Sequence, residues 1–232
     1  QYAMQIIMSF LMISMVFIIL PRASVSAQRV AEVLETEPTI KDPKEPRSFN
    51  NKESGIVEFE NVYFRYPGAE EDALKNISFK AIPGQTTAII GSTGSGKTTL
   101  VNLILRFYDV TDGKILIDGV DIRDVTLHEL RDKIGYVPQK AVLFSGTIES
   151  NLKYANENAT RKHMEKCVET AQAMEFISEK AEGFDSHIAQ GGTNVSGGQK
   201  QRLSIARALI KEPEIYIFDD SFSALDFKTD AA

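Results

Sequence analysis

Cysteine and histidine are nearly missing from this chain. The single cysteine, Cys167, excludes an intrachain disulfide, and one cysteine with three histidines is too sparse for a structural zinc site of the usual Cys/His composition. Cys167 falls in a helix expected over residues 162–173, where it reads as a buried, inert thiol. A basic excess is also lacking. Lysine and arginine number 26 against 32 acidic residues, a net charge of −6, so the chain has no electrostatic footprint of a general nucleic-acid binder. What is present in quantity is apolar side chain, 43% of 232 residues, enough for one large domain or two small ones with a real core.

Charge is absent altogether from residues 1–20, where only Gln1, Gln5, Ser9 and Ser14 are strongly polar. About 20 apolar residues at ~1.5 Å rise span a hydrocarbon core of ~30 Å. A signal peptide would carry a basic start and a shorter apolar stretch, so a membrane helix is the expectation, with a buried core helix as the alternative. Arg22 and Arg29 are the first charges after it, so the following residues are expected on the cytoplasmic side. Met4, Met8, Met12 and Met15 share one helical stripe, read as ordinary packing or as a soft surface for apolar cargo. Gln5 and Ser9, four apart, read as interhelical hydrogen-bonding partners or as lining of a polar cavity. An amphipathic extension follows to about residue 37. Pro38, Pro43 and Pro46 then define a polar linker over 38–55, and a second domain is expected over 56–232.

That second domain reads as α/β. Strand patterns at 56–62, 77–82, 86–90, 115–117 and 215–218 alternate with helical stretches, and a largely parallel sheet is expected. Gly91-Ser92-Thr93-Gly94-Ser95-Gly96-Lys97-Thr98 fits the phosphate-binding P-loop in full, between the expected strand 86–90 and an apolar helix from Thr98 to Phe107. Glycines let backbone N–H groups close on phosphates, Lys97 reaches the terminal phosphates, and the Thr98 hydroxyl suits Mg²⁺. The apolar run Ile215–Phe218 ends in Asp219-Asp220, with Asp219 positioned for the Mg²⁺ shell. Residues 194–202 open with a second glycine-rich turn ahead of a helix, and so offer another set of N–H groups to an anion. Ser196 is the expected N-cap of that helix, and Thr126-Leu127-His128-Glu129 is a capping-box pattern opening another. His128, His163 and His187 read as surface residues.

Taken in order, these motifs resemble the ATPase subunit of ABC transporters of the exporter type, in which membrane and ATPase parts are fused. The resemblance implies a P-loop NTPase domain with a RecA-like core and a helical subdomain, preceded by the last transmembrane helix of an all-α membrane domain. It implies ATP and Mg²⁺ as ligands. Tyr66 would stack on adenine, and Gly91, Ser92, Thr93, Gly94, Ser95, Gly96, Lys97, Thr98 and Thr99 would hold phosphates. Gln139 would contact Mg²⁺ alongside Thr98 and Asp219, and would sense the membrane domain. Ser196, Gly197, Gly198 and Gln199 would contact the ATP of a facing subunit, and Ser223–Asp226 matches the D-loop. The chain reads as a fragment of a multi-pass membrane protein, with the ATPase domain cytoplasmic and the family's switch histidine expected downstream.

Two positions depart from the family pattern. Asp220 stands where glutamate normally polarises the attacking water, and Gln190 stands where exporter relatives often carry glutamate. Both departures are expected of the half with a degenerate ATP site in a heterodimeric exporter, favoured here over a homodimer. Partners would be that second half, membrane lipid and a transported substrate, with no nucleic acid. The alternatives are a soluble ABC-type ATPase acting on nucleic acid or ribosomes, and a regulatory nucleotide-binding subunit that does not hydrolyse ATP.

Overall fold

The computed structural model describes residues 2–49 and 54–221. They divide into two units, one ending at Lys41 and one beginning at Asp42. The first is dominated by a single helix, α1 (Tyr2–Glu35), 34 residues long and free of buried side chains. At ~1.5 Å per residue it is about 51 Å long, and it is apolar enough over its first half to cross a membrane. Pro21 lies inside it without breaking it. Lacking an N–H, it leaves the Phe17 carbonyl without its helical donor. Ser9 Oγ donates to the Gln5 carbonyl at 2.9 Å, so that hydroxyl is satisfied within its own helix.

Residues 42–49, expected within the polar linker, belong to the second unit. Asp42 accepts from the Leu127 amide, the Arg47 amide donates to the Asp124 carbonyl, and Phe49 enters the core with Lys133 over its ring.

The second unit starts with an antiparallel sheet of order β2-β1-β3-β4, built from β1 (Val57–Phe64), β2 (Leu74–Ala81), β3 (Asp112–Ile117) and β4 (Val120–Asp121). Along β1, Val57 and Phe59 face the core, and so do Val62 and Phe64. The inward phase changes parity because the register shifts between Phe59 and Val62, where Asn61 has φ 47°. Gly113 makes that bulge fit. A Cβ there would lie 2.3 Å from the Asn61 carbonyl oxygen, and its φ is 80°.

Helices α2 (Lys97–Ile104) and α3 (Leu127–Asp132) cover this sheet, burying Leu103 and Leu130 beside Phe59, Ile115 and Ile117. Thr126 caps α3 through the Glu129 amide, as its sequence predicts. The Glu129 carboxylate instead accepts from the Phe49 amide at 3.2 Å, which ties the incoming segment to the helix. A second core lies among α4 (Ile148–Lys153), α5 (Arg161–Thr170), α6 (Met174–Ser178) and α7 (Gly197–Ile210). Between the two cores runs β5 (Ile134–Val137), whose Ile134 belongs to the first and Val137 to the second. Strands β6 (Gly146–Thr147) and β7 (His187–Ile188) form a short antiparallel pair, and β5 pairs in parallel with the final described strand, β8 (Ile215–Phe218).

Two expectations need correction. Residues 86–90 form no strand, and Ile89 and Ile90 are 42% and 92% exposed. No described strand lies beside this segment to complete a ladder, so its β-branched residues have nothing to pair with. The sheet is also not largely parallel, since β5–β8 is the sole parallel pair among the described residues. Cys167 is buried on α5, and burial first, then the nearby Glu212 carboxylate, pushes its thiol pKa up. His128 and His187 are on the surface, whereas His163 is part-buried with Nε2 3.4 Å from the Ile210 carbonyl oxygen.

Candidate nucleotide site

Two glycine-rich turns and one acidic strand end supply the chemistry. The first turn is exposed over residues 91–95 and feeds into α2 through the half-buried Gly96, whose φ is 92°. A side chain at Gly96 would meet the Leu74 Cδ2 methyl at 2.7 Å, so the turn can sit against β2 only with glycine here. Lys97 folds back over the turn and donates to the carbonyls of Gly91 (2.8 Å) and Ser92 (2.9 Å). Its ammonium is thereby held above the loop whose N–H groups would receive phosphates. The next residue, Thr98, donates its hydroxyl to Asp219 Oδ1 at 3.2 Å, across 121 residues of sequence. A hydroxyl and a buried carboxylate converging beside a glycine loop form a hard-oxygen donor set, which fits Mg²⁺.

Thr99 is buried, and its hydroxyl is 2.9 Å from the Tyr66 hydroxyl. The Tyr66 ring meets Phe64 and Tyr108 edge-on, so two aromatic neighbours fix its plane. At the acidic end, the Asp219 amide donates to the Val137 carbonyl at 3.0 Å, and the buried Ser221 hydroxyl donates to the same oxygen at 2.8 Å. These bonds continue the β5–β8 pairing past Phe218 and hold the carboxylates at the strand end. Burial, then the nearby Asp219 carboxylate, raises the Tyr136 phenol pKa, keeping that hydroxyl neutral beside the acid. Asp220 takes a left-handed backbone conformation, φ 47°, and its Oδ2 accepts from Gln139 Nε2 at 3.0 Å. The structure therefore links Tyr66, Thr99, Thr98, Asp219, Asp220 and Gln139 through neighbouring residues and hydrogen bonds.

The second turn opens α7 as the sequence predicts. Ser196 Oγ accepts from the Gln199 amide at 3.2 Å, and Gln199 Oε1 accepts from the Ser196 amide at 3.0 Å, a complete capping box. Asn194 braces the approach by accepting from the Ala189 amide and donating to the His187 carbonyl. Above Gly197 a Cβ would find nothing within 4 Å. Ser196 and Gly197 are exposed, so the first N–H groups of a 14-residue helix face open space. Among the described residues, no hydrogen bond joins residues 196–199 to residues 91–99. The two anion-ready turns are separate. Gln190 is exposed in a short turn ahead of α7, and Ser223–Asp226 lies outside the described residues.

Sequence reading missed the groups that bind the Gln139 segment to α7. Buried Gln201 donates to the Pro138 carbonyl at 3.1 Å. Arg207 donates to the carbonyls of Val142 and Asn151 and to Asn151 Oδ1, and burial lowers its pKa. A buried glutamine and a half-buried arginine on the apolar side of α7 were the available signal, but their partners lie 56 to 65 residues away.

A glycine loop opening a helix, with its threonine against a strand-end aspartate, defines a P-loop nucleotide-binding domain. The domain architecture agrees with comparison to known proteins. The family model described as ABC transporter matches residues 74–223, well over half of the sequence, and the chain belongs to that family. An ABC transporter ATP-binding protein of Mycobacterium tuberculosis is 48% identical over 100% of this chain. The ATP-dependent lipid A-core flippase of Escherichia coli K12 is 40% identical over 91% of it. The chain spans 40% and 36% of the lengths of those two relatives. A solved bacterial Atm1-family ABC exporter with ATP bound superposes with a TM-score of 0.86 at 35% identity, covering 94% of this chain and 38% of that one. The likeness is to the exporter type, with the ATPase domain preceded by an apolar helix.

Proposed function

We propose that the chain carries the ATP-binding part of an ABC exporter subunit, in which ATP binding and hydrolysis at a two-subunit interface drive substrate across a membrane. The observation that carries this reading is the convergence of Thr98 and Asp219 behind a full P-loop, on a chain that also holds α1. ATP is the substrate. The N–H groups of residues 91–97 take its phosphates, and Lys97 exchanges its two loop carbonyls for phosphate oxygens. The Tyr66 ring offers a face to adenine. Thr98, Asp219 and Gln139 would hold Mg²⁺, which when bound supplies positive charge against the phosphate oxygens. The lipid A-core flippase among the relatives supports an amphipathic cargo.

Asp220 is the proposed base for the attacking water. It is one C–C bond, about 1.5 Å, shorter than the glutamate usual in the family. A misplacement near 1 Å costs ~10²-fold in rate, so hydrolysis at this chain's own site is slow while ATP binding is retained. The N–H groups of Gly197 and Gly198, which the capping box does not use, complete the site of a distinct partner half. The test is steady-state ATPase of the full-length protein assembled with that partner. Asp220→Asn should leave most turnover in place, whereas neutralising the partner's equivalent carboxylate should abolish it. Equal losses would refute the asymmetric assignment.

A further inference from the structure

Buried polar side chains need a partner, and on α7 the glutamine that has one is informative. Gln201 is 1% exposed, on a helix whose other buried residues include Leu203, Ile205, Ala206 and Ile210. Burying an amide among apolar groups is unfavourable unless it is hydrogen-bonded. Its Nε2 donates at 3.1 Å to the carbonyl of Pro138, the residue directly before Gln139.

Three successive residues at the end of β5 thus receive three different loads. The Val137 carbonyl takes the Asp219 amide and the Ser221 hydroxyl, Pro138 takes Gln201, and Gln139 reaches Asp220. Gln201 lies five residues from the Ser196 cap, about 7.5 Å along the helix axis. The capping box makes that span one stiff piece. Arg207 fastens the same segment four residues further on, at Val142.

We propose that Gln201 is a positioning residue that couples the two anion-binding turns. Through the Pro138 carbonyl it fixes the Gln139–Asp220 pair of this chain's own ATP site to the helix that presents Ser196–Gln199 to the partner's ATP. A displacement of Gln139 when the own site fills is delivered to the N-terminus of α7 through one hydrogen bond. This rests on the reading that residues 196–199 serve a facing subunit.

The test uses the full-length protein assembled with its partner half in lipid nanodiscs, with Mg·ATP as the probe. Gln201→Met keeps the length of the side chain and removes the donor. Its kcat should fall about tenfold, the loss that goes with one buried hydrogen bond, while KM and own-site ATP affinity stay within about twofold. Lys97→Ala, which empties the own site, should also slow turnover about tenfold, and the double variant should lose no more than about twofold beyond either single one. Independent losses, multiplying to about a hundredfold, would overturn the coupling. Gly197→Glu, which fills the open space over the second turn, should abolish turnover. If turnover survives it, the facing-subunit reading fails, and the coupling with it. Should Gln201→Met give no cooperative thermal transition, Gln201→Asn keeps the buried amide but falls about 1.5 Å short of the carbonyl. It should give the same cycle, and independent losses there overturn the proposal equally.

Discussion

Restoring a glutamate at position 220 is the sharpest test of how this site is tuned. Asp220→Glu moves the carboxylate outward by about 1.5 Å, along a direction now fixed by the 3.0 Å bond from Gln139. If the shortfall in reach is what slows the own site, closing it is worth ~10²-fold, or about 2.7 kcal/mol. The backbone opposes part of this gain. Position 220 sits at φ 47°, a region that aspartate enters more readily than glutamate, at a difference of roughly 1 kcal/mol. The net is about 1.7 kcal/mol, a roughly twentyfold faster own-site step. The assay is single-turnover hydrolysis in the full-length assembly with the partner's own carboxylate neutralised, so that only this site reports. An unchanged or slower rate would show that reach is not the limiting defect.

Gly96→Ala should lower stability by about 1–3 kcal/mol in thermal melts, because the new methyl meets Leu74 in a left-handed backbone, and should weaken ATP binding with it. Tyr66→Ala should raise the ATP Kd about tenfold by equilibrium binding, the scale of one base–aromatic stack, while Tyr66→Phe, losing only the Thr99 contact, should change it less than threefold. Asp121 is subject to burial, which would raise its pKa, but hydrogen bonds from Arg123 outweigh that and hold it below the usual value. A carboxylate with a depressed folded-state pKa contributes stability above its unfolded pKa and loses it as pH falls through the folded one. Asp121→Asn should therefore lower Tm at pH 7 and flatten the decline of Tm below about pH 4.

Local chemistry was legible in the sequence. The turn that opens α2, the caps at Thr126 and Ser196, and the acidic end of β8 are each set by residues within a few positions of one another, and the structure has each of these local features. Long-range partners were not legible. The apolar residues at 86–90 carry strand propensity, but a strand exists only with a neighbour, and Ile90 lies 92% exposed. Glu129 matched a capping box, yet its carboxylate serves Phe49, 80 residues away. The antiparallel sheet was hidden for the same reason, since residues 57–64 alternate alike whichever way their neighbours run. Gln201 and Arg207 look like ordinary polar residues of an amphipathic helix until Pro138 and Val142 are seen beneath them.

The Gln199 side chain is spent on its own helix cap, and nothing lies over Gly197. On the proposed reading, what this turn offers its partner is main-chain hydrogen, which no change of side chain short of proline can delete. The two halves of the chain's chemistry are therefore open to change in different ways. A carboxylate can be shortened, amidated or re-angled, so activity at the own site can drift by degrees. Short of proline, the turn at residues 196–199 can only be covered or left bare. A lineage can lose its own hydrolysis slowly and still remain indispensable to its neighbour, until one side chain at position 197 closes the door.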